Sequence, residues 1–496
     1  MDLLITFLAI SPIVIQIIQF FAALSILIII HEFGHFMFAK LFKTRVEKFY
    51  LFFDFFFPFA TFMNFSLFKK KWKGTEYGLG WFPLGGYVKI AGMVDESADP
   101  EAMKGEPQPW EYRSKKSWQK LLIMLGGIIM NVLLAMVIYI IVFANYGESY
   151  IPPENVTFGI HADSLGRSIG LQDGDIITHV GDKKVLDENK VVYHMIFSDK
   201  NTLTVNRNGS EEVLKVPEGT VNKAMKIMKA KRKPIFSIRF PVVVDSIPTN
   251  SPNYNVLQPK DKILSINGEP AFFTHDFSKK FAVVKSQNTL NKWALGGSSS
   301  LIPEKTMLKV RAQADSSQLN KMSMNVLRGA DTVALQTSIT DTGKMVVYFQ
   351  RAPDSLFDIT HLSYSGVSAI PRGIKETKEK LKEYMLQLRL IFTSPEVKLS
   401  ESLGGFGSIG GMFPKVFDME IFLQLTAFIS IILAFMNLLP IPGLDGGYVL
   451  FLLFEMITGV KVSDKVIEKA NGVGLVLLLA LMLYANGLDV WRAFAG

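Results

Sequence analysis

The chain has 496 residues, of which 49% are apolar and 20% charged, with 53 Lys and Arg against 45 Asp and Glu. Long uncharged stretches flank a polar middle, so the composition excludes a purely soluble enzyme and a bundle made only of membrane helices. Cysteine is absent, which excludes disulfide scaffolds, thiolate zinc sites and cysteine nucleophiles. We therefore predict a membrane protein that carries a large aqueous insert.

Four uncharged stretches have the length needed to cross a bilayer as helices. They cover residues 3–30, 121–143, 421–439 and 471–488. Lysines and arginines cluster between the first two stretches, whereas none follows the second until Arg167. The positive-inside rule then places residues 36–120 in the cytoplasm and 150–420 outside it. We expect four spans with both termini outside.

The polar insert contains an approximate repeat, with one copy at 170–185 and another at 256–270. Each copy reads as a tight polar turn, an alternating strand and a Gly-Asp or Asn-Gly hairpin turn. The shared Leu-x-x-x-Asp-x-Ile strand entry resembles that of PDZ domains, which bind peptide ends by adding a strand to a sheet edge. We expect two PDZ-like domains, and two generic β-rich folds are the alternative.

An amphipathic helix is predicted after the insert, with lysines opposite its apolar face. The apolar positions are Ile374, Leu381, Met385, Leu388 and Phe392. This helix is expected either on the outer membrane surface or against the second PDZ-like domain. The glycine-rich run 403–411 is expected to be a flexible entry to the third span, since it lacks the continuation of a phosphate loop.

The motif with the clearest chemistry is His31-Glu32-Phe33-Gly34-His35, at the end of the first uncharged stretch. On a helix, residues four apart share a face, so both imidazoles can bind one metal ion and Glu32 can act as general base. Ionisable groups beside a long apolar run are costly and indicate function. A pair of solvated interfacial histidines is the alternative.

A catalytic zinc ion takes three protein ligands and keeps one position open. The other five histidines lie in the insert, across the membrane in the predicted topology, so the third ligand is expected to be a carboxylate. Asp54 and Glu455 are possible, and Asp445 is favoured. Asp445 ends a run from Asn437 whose prolines break the helix and whose glycines permit tight turns. Such irregular backbone at membrane depth is expected to line a wet cavity.

Nearly the whole chain resembles the bacterial site-2 protease family, the RseP-like intramembrane zinc metalloproteases with tandem PDZ domains. The resemblance rests on His31-Glu-Phe-Gly-His35, on 74–78 and 82–89, on Gly127 with Asn131, and on 437–447. Residues 74–78 and 82–89 are similar to the membrane-associated β-loop of the family. The implied fold is a polytopic α-helical membrane protein with four transmembrane helices, this β-loop and two inserted extracytoplasmic PDZ-like α/β domains.

The resemblance implies that His31, His35 and Asp445 bind Zn²⁺ and that Glu32 is the catalytic residue. It also implies that Asn437, Pro440 and Pro442 hold the substrate. An edge strand within 77–89 could pair with an unwound substrate, and Gly85 and Gly86 would let the two backbones approach. A simple membrane-surface hairpin is the alternative for this region.

The expected organisation divides the chain into nine segments. They are 1–42, the first span with the metal motif; 43–116, the cytoplasmic β-loop region; 117–146, the second span; 150–240 and 241–360, the PDZ-like domains; 361–412, the amphipathic helix and glycine-rich linker; 413–447, the third span with the Asp445 motif; 448–470, a cytoplasmic loop; and 471–496, the fourth span.

The resemblance implies a metalloendopeptidase of the bacterial inner membrane, with its active site near the cytoplasmic side. It would cleave within the transmembrane segments of single-span proteins, in regulated intramembrane proteolysis or signal-peptide clearance. Expected partners are anti-sigma-factor-like proteins, signal peptides, peptide ends at the PDZ-like domains and the lipid bilayer, with no nucleic acid. A catalytically silent scaffold and a metal-ion transporter are the alternatives, although four spans without an inverted repeat do not favour a transporter.

Overall fold

The computed structural model describes residues 11–55, 65–83, 85–93, 105–198, 200–220, 223–224, 235–296, 319–350, 356–393 and 403–495. The chain forms two compact units. One contains Met1–Glu148 and Leu362–Gly496, and the other is the insert, Ser149–His361.

The helices in chain order are α1 (Pro12–Leu41), α2 (Ser117–Tyr146), α3 (Ser164–Ser168), α4 (Val191–Phe197), α5 (Thr274–Gly296), α6 (Ala369–Thr393), α7 (Phe406–Gly410), α8 (Met419–Leu438), α9 (Asp445–Thr458) and α10 (Asp464–Ala495). The strands are β1 (Val46–Leu51), β2 (Ser66–Trp72), β3 (Thr75–Gly80), β4 (Tyr87–Ile90), β5 (Glu148–Tyr150), β6 (Ile160–Ala162), β7 (Ile176–Val180), β8 (Lys183–Lys184), β9 (Thr202–Arg207), β10 (Ser210–Lys215), β11 (Phe236–Ile238), β12 (Val244–Ser246), β13 (Lys262–Ile266), β14 (Glu269–Pro270), β15 (Lys321–Arg328), β16 (Asp331–Ser338), β17 (Tyr348–Phe349) and β18 (Thr360–Leu362).

Four helices in the first unit, α1, α2, α8 and α10, are long and apolar enough to cross a membrane. They coincide with the four predicted stretches, although residues 3–10 of the first stretch lie outside the described residues. Helix α1 continues past residue 30 to Leu41. The metal motif therefore lies within the helix rather than at its end.

Helices α1 and α2 approach closely at a pair of glycines. A Cβ added to Gly126 would lie 2.6 Å from the Gly34 carbonyl oxygen, and one added to Gly34 would overlap the Gly126 backbone. Small residues at such a crossing let two membrane helices pack backbone to backbone. This contact brings the face of α1 that carries both histidines against α2.

A mixed sheet in the order β2-β3-β1-β4 follows α1. Strand β1 is parallel to β3 and antiparallel to β4. Val46 of β1 and Ile90 of β4 share a buried cluster with Ala39 of α1 and Ile123 of α2. The sheet is thus fixed to the motif-bearing ends of the two helices. Its edge strand within the predicted range 77–89 is β4, whereas β3 is an interior strand.

The segment after the third span differs from the prediction of a loop over 448–470. Helix α9 occupies Asp445–Thr458, and α10 begins at Asp464. Helix α9 has 14 residues. It was not predicted because it is shorter than the roughly 20 residues that a membrane span requires. Val449 and Leu452 bury its inner face in the cluster that holds the sheet.

The predicted amphipathic helix is present as α6. Within the first unit it lies against α2 and α8. Tyr384 packs edge-on against Phe435 with ring centroids 5.5 Å apart, and a Cβ on Gly373 would lie 2.5 Å from Ile140. The Arg372 guanidinium forms two 2.9 Å hydrogen bonds to Glu148 at the end of α2. Apolar periodicity predicted the helix but not the helices against which it packs.

The glycine-rich run is also more ordered than expected. Residues 406–410 form α7, which docks on α10. The Ser408 backbone N–H donates to Asp489 over 2.8 Å, and the Phe406 N–H donates to Asn486 over 3.1 Å. Asp489 and Asn486, two polar residues of the apolar helix α10, therefore hold α7 in place.

The insert contains two hydrophobic cores. One is built from residues within 160–236 and the other from residues within 242–345. The first core underlies the sheet β10-β9-β7-β8, and the second underlies β14-β13-β15-β16. Strands β7 and β13 start the predicted hairpins, with the turns Gly181-Asp182 and Asn267-Gly268 between the paired strands. The local pattern read from the repeat is therefore present in both halves.

An ion pair that the sequence reading did not identify anchors each copy of the repeat. Arg207 donates two 2.8 Å hydrogen bonds to the buried Asp175 carboxylate. Arg328 donates to the buried Asp261 carboxylate over 2.9 and 2.7 Å. Each aspartate also accepts a backbone N–H from the residue three before it. The acidic position of the repeat thus ties a turn to a neighbouring strand.

Candidate metal centre

His31 and His35 lie on one face of α1, as their spacing predicts. Their rings meet edge to face with centroids 4.8 Å apart, and their Nε2 atoms are separated by 3.2 Å. Both side chains are buried among apolar helices. Two imidazole nitrogens pointing at one position form half of a tetrahedral ligand set.

Asp445 completes a triangle of donor atoms. Its Oδ2 lies 3.2 Å from His31 Nε2 and 3.3 Å from His35 Nε2. Ligands bound tetrahedrally at about 2.0 Å are about 3.3 Å apart, so the triangle has the dimensions of a zinc site. Asp445 Oδ2 is also buried and accepts no hydrogen bond from the described residues. The geometry therefore fits a bound cation, and these are the residues that could hold it.

The orientation of His35 is fixed from α2. His35 Nδ1 lies 2.9 Å from the Ile123 carbonyl oxygen, to which a protonated Nδ1 donates. This tautomer leaves the Nε2 lone pair for a metal. On the same helix, a Cβ at Gly127 would lie 2.5 Å from both His31 Cε1 and His35 Nε2. Glycine is required at 127 because the two rings occupy the space of a side chain.

His31 is contacted by Asn131, a fully buried residue of α2. Asn131 Nδ2 lies 3.2 Å from His31 Nδ1, and Asn131 Oδ1 has no partner among the described residues. Rotation of the amide by half a turn places its oxygen at the ring and lets His31 Nδ1–H donate to it. The Ser430 hydroxyl of α8 donates to the Asn131 carbonyl over 2.8 Å. Sequence analysis recognised Asn131 within a motif but gave it no role.

Glu32 lines a cavity of about 220 Å³ that also exposes His31, His35 and Asp445. Strand β4, through Tyr87, Val88 and Ile90, and the preceding Gly86 form another wall of this cavity. A Cβ on Gly86 would lie 2.7 Å from Ile28 and 3.4 Å from Glu32. The glycine thus lets an edge strand run directly beside the acid and the histidines.

The residues predicted to bind the substrate differ in their contacts. Asn437 Nδ2 lies 3.4 Å from His31 Nε2. Pro442 packs so tightly on α10 that a Cβ at Gly474 would overlap its carbonyl oxygen. Pro440 is exposed. Gly85 lies beside the Phe53 ring, 2.8 Å from an added Cβ, one residue before the cavity wall.

The two alternative carboxylates have other contacts. Asp54 is buried, accepts a 2.9 Å hydrogen bond from the Tyr87 hydroxyl and lies 3.5 Å from Lys48 Nζ. Burial, reinforced by the Asp54 charge, raises the pKa of Tyr87 above its ordinary value, so the phenol remains the donor. Glu455 accepts from the Ser117 hydroxyl over 3.0 Å. The structure brings only Asp445, of these three carboxylates, to both histidines.

Sequence reasoning missed a polar contact at the mouth of the cavity. Asn471 of α10 donates a 2.6 Å hydrogen bond to the Tyr448 hydroxyl of α9, and both residues line the cavity. Asn471 Oδ1 accepts from the Gly443 N–H over 3.3 Å. The sequence did contain a signal for this contact. Asn471 is the first residue of a predicted apolar span, where polar groups are costly and usually functional.

The comparisons with known proteins extend over most of the chain. The model of peptidase family M50 matches residues 19–481. The regulator of sigma-E protease RseP from Escherichia coli K12 is 26% identical, with 96% of this chain and 98% of that protein covered. The protein of the same name from Salmonella typhimurium is 26% identical, with 96% and 97% covered. A Clostridium acetobutylicum protein named as a zinc metalloprotease is 27% identical, with 94% and 95% covered.

Proposed function

The chain belongs to peptidase family M50 and is a zinc metalloprotease, and we propose that it cleaves peptide bonds within the membrane-spanning segments of single-span membrane proteins. One observation carries this proposal. The donor atoms of His31, His35 and Asp445 converge within 3.3 Å of one another, and α1, which carries both histidines, is long and apolar enough to cross a bilayer. A hydrolytic centre at that depth acts on polypeptide that is itself in the membrane.

His31, His35 and Asp445 are the proposed zinc ligands. Zinc bound by two imidazoles and one carboxylate supplies a Lewis acid that acidifies the attacking water and polarises the scissile carbonyl. The protein orients two of the ligands through Ile123 and Asn131 and excludes side-chain bulk at Gly127. Such supporting contacts fix the direction of each ligand lone pair.

Glu32 is the proposed general base. It faces the cavity one residue from His31, takes a proton from the attacking water and delivers it to the leaving amine. The Asn437 amide is placed at the edge of the metal site, where it can donate a hydrogen bond to the oxyanion as it develops. The 3.4 Å separation of Asn437 Nδ2 from His31 Nε2 supports this role.

Strand β4 is the proposed substrate platform. A transmembrane helix hides its amides in its own hydrogen bonds, so it must unwind before hydrolysis. The unwound segment can add to the outer edge of β4, which pairs with no other strand among the described residues, while β1 pairs with its other side. Main-chain pairing of this kind aligns a peptide largely independently of its side chains. Gly85 and Gly86 would permit the approach.

The insert is proposed to consist of two PDZ-like domains outside the cytoplasm, over 150–240 and 241–360. They would bind peptide ends or exclude large ectodomains, so that cleavage waits for a first cut elsewhere. The RseP relatives are named as regulators of sigma-E. For this chain, anti-sigma-factor-like membrane proteins and leftover signal peptides are the proposed substrates, in the bacterial inner membrane with hydrolysis near the cytoplasmic side.

Substitution Glu32→Gln tests the function directly. The variant is expected to retain zinc and its fold, to lose cleavage of single-span membrane proteins, and to accumulate those proteins in complexes recovered by purification. Glu468→Gln, at an exposed position on α10, is the matched control and should cleave normally. Cleavage by Glu32→Gln at the rate of the unmodified protein would contradict the proposal and favour a silent scaffold.

A further inference from the structure

The insert contains a second convergence of histidine and carboxylate side chains, far along the chain from the metal motif. His161 lies on β6, Asp173 lies in the turn before β7, and His275 is the second residue of α5. The first two residues belong to the half of the insert with the first hydrophobic core, and His275 belongs to the other half. The cluster therefore connects the two halves.

The donor atoms of this cluster are close together. His161 Nδ1 lies 3.1 Å from Asp173 Oδ1 and 3.2 Å from Oδ2, and the His161 and His275 rings stack with centroids 3.7 Å apart. One ligand atom from each of the three residues lies within 4.8 Å of the others. Two imidazoles and a carboxylate are a ligand set that zinc accepts.

Other contacts orient the Asp173 carboxylate. Its Oδ1 accepts the Ala162 backbone N–H over 2.9 Å and an Arg167 guanidinium N–H over 2.8 Å. These two donors fix the carboxylate with both of its oxygens within 3.2 Å of His161 Nδ1. Outer contacts of this kind are what position metal-binding carboxylates in proteins.

The surroundings leave the histidines free to adjust. Their rings are inclined by only 21°, so a metal in the plane of one ring requires the other to turn about its Cβ–Cγ bond, a torsion with a broad energy profile. The side chains of His161 and His275 are 28% and 21% exposed, which leaves room for that rotation. Asp276, 3.2 Å from His275 Nε2, adds a second carboxylate.

Two arginines near this cluster should make it bind a cation more weakly than the group formed by His31, His35 and Asp445. Arg167 pairs with Asp173, and the Arg239 guanidinium lies 3.7 Å from the centroid of the ring of Phe273, two residues before His275. Their charges offset those of Asp173 and Asp276. The centre around His31 instead combines Asp445 with Glu32, so it should bind a divalent cation more tightly.

We propose that His161, Asp173 and His275 form a second zinc site, outside the membrane-spanning helices, that clamps β6 to α5 and so fixes one half of the insert against the other. The clamp joins segments separated by more than a hundred residues of chain. Its zinc would exchange readily, because the ligands are partly exposed and the local charge is balanced.

Metal analysis of the purified full-length chain tests the proposal. After equilibrium dialysis against Zn²⁺ we expect two equivalents for the unmodified protein and one for His161→Ala/His275→Ala. His179→Ala, which removes a different insert histidine of the first half, is the control and should keep two. A mild chelator should remove one equivalent from the unmodified protein and none from the double variant.

A second variant distinguishes the loss of a metal ligand from misfolding of the insert. His275→Gln removes the imidazole while retaining a polar side chain of similar length, and it too should bind one equivalent. Zinc should raise the thermal midpoint of the insert in the unmodified protein but not in His275→Gln. Uptake of a single equivalent by the unmodified protein would overturn the proposal, as would two equivalents in His275→Gln.

Discussion

Asn131 on α2 contacts the Nδ1 atom of His31 on α1 across the interface of these two helices, with 3.2 Å between Asn131 Nδ2 and the ring nitrogen. With the amide turned so that its oxygen faces the ring, Asn131 accepts the His31 Nδ1–H and leaves Nε2 without a proton. It therefore determines whether Nε2 can bind a metal. The asparagine is buried on all sides, so water cannot substitute for it.

Asn131→Ala should weaken zinc binding by roughly 10- to 100-fold, the usual effect of losing an outer-shell partner of a metal-bound histidine. Competition with a chelator of known affinity measures the change. Asn145→Ala is a matched control on the same helix, because Asn145 is exposed and bonds only to the Ile141 carbonyl of its own helix among the contacts of the described residues. Equal zinc affinities for the two variants would show that Asn131 does not support zinc binding.

Gly127→Ala should displace the proposed ligand histidines, because the new methyl group would lie 2.5 Å from His31 Cε1 and from His35 Nε2. We expect loss of zinc and of proteolysis while the helix content is retained. Circular dichroism and metal analysis on the same sample separate these effects. Gly487→Ala, on α10 with open space around the added Cβ, should behave as the unmodified protein.

Arg207→Leu should destabilise the first half of the insert by about 3–5 kcal/mol, because a buried carboxylate loses its guanidinium partner. Asp175 is 1% exposed, and the equivalent Asp261 makes Arg328→Leu comparable in the second half. Hydrogen exchange of β7 and β13 reports each half separately. Lys200→Met breaks the exposed pair with Asp182 and should cost less than about 1 kcal/mol. Similar costs for Arg207→Leu and Lys200→Met would show that the repeat does not depend on its ion pairs.

Glu188 should make the first half of the insert less stable as the pH rises. Its carboxyl group is buried and has no charged partner of opposite sign among the causes that shift its pKa. Burial, against the opposing effect of the nearby Ile177 backbone, raises the pKa of Glu188 from 4.5 to about 8. The unfolded chain releases the proton near pH 4.5 and the folded chain only near 8, so stability falls between these values.

Glu188→Gln should remove this dependence and stabilise the insert at pH 8. Hydrogen exchange of the first core at pH 5 and pH 8 measures the effect, after correction for the intrinsic exchange rate. Glu211→Gln, at an exposed position on β10, should leave the pH dependence unchanged. An unmodified protein that is equally stable at both pH values would contradict the buried-acid account.

Local features of this protein followed from the sequence because their causes are local. The spacing of His31 and His35 places both on one helical face whatever surrounds them, and uncharged runs of sufficient length predicted the four long helices. Elimination also led to a carboxylate: without cysteine, and with the remaining histidines in the insert, a carboxylate was the expected third partner. Asp445 was favoured over Asp54 and Glu455 because prolines and glycines flank it.

Only the tertiary structure showed which groups surround the triangle formed by the donor atoms of His31, His35 and Asp445. The positions of Asn131 and Gly127 against the histidines depend on the crossing of α1 and α2 at Gly34 and Gly126, a contact between segments distant in sequence. The same holds for β4 as the cavity wall, for α6 against α2, and for the histidines of β6 and α5. Periodicity shows that a face is buried, whereas its partner depends on how all the helices and strands pack at once.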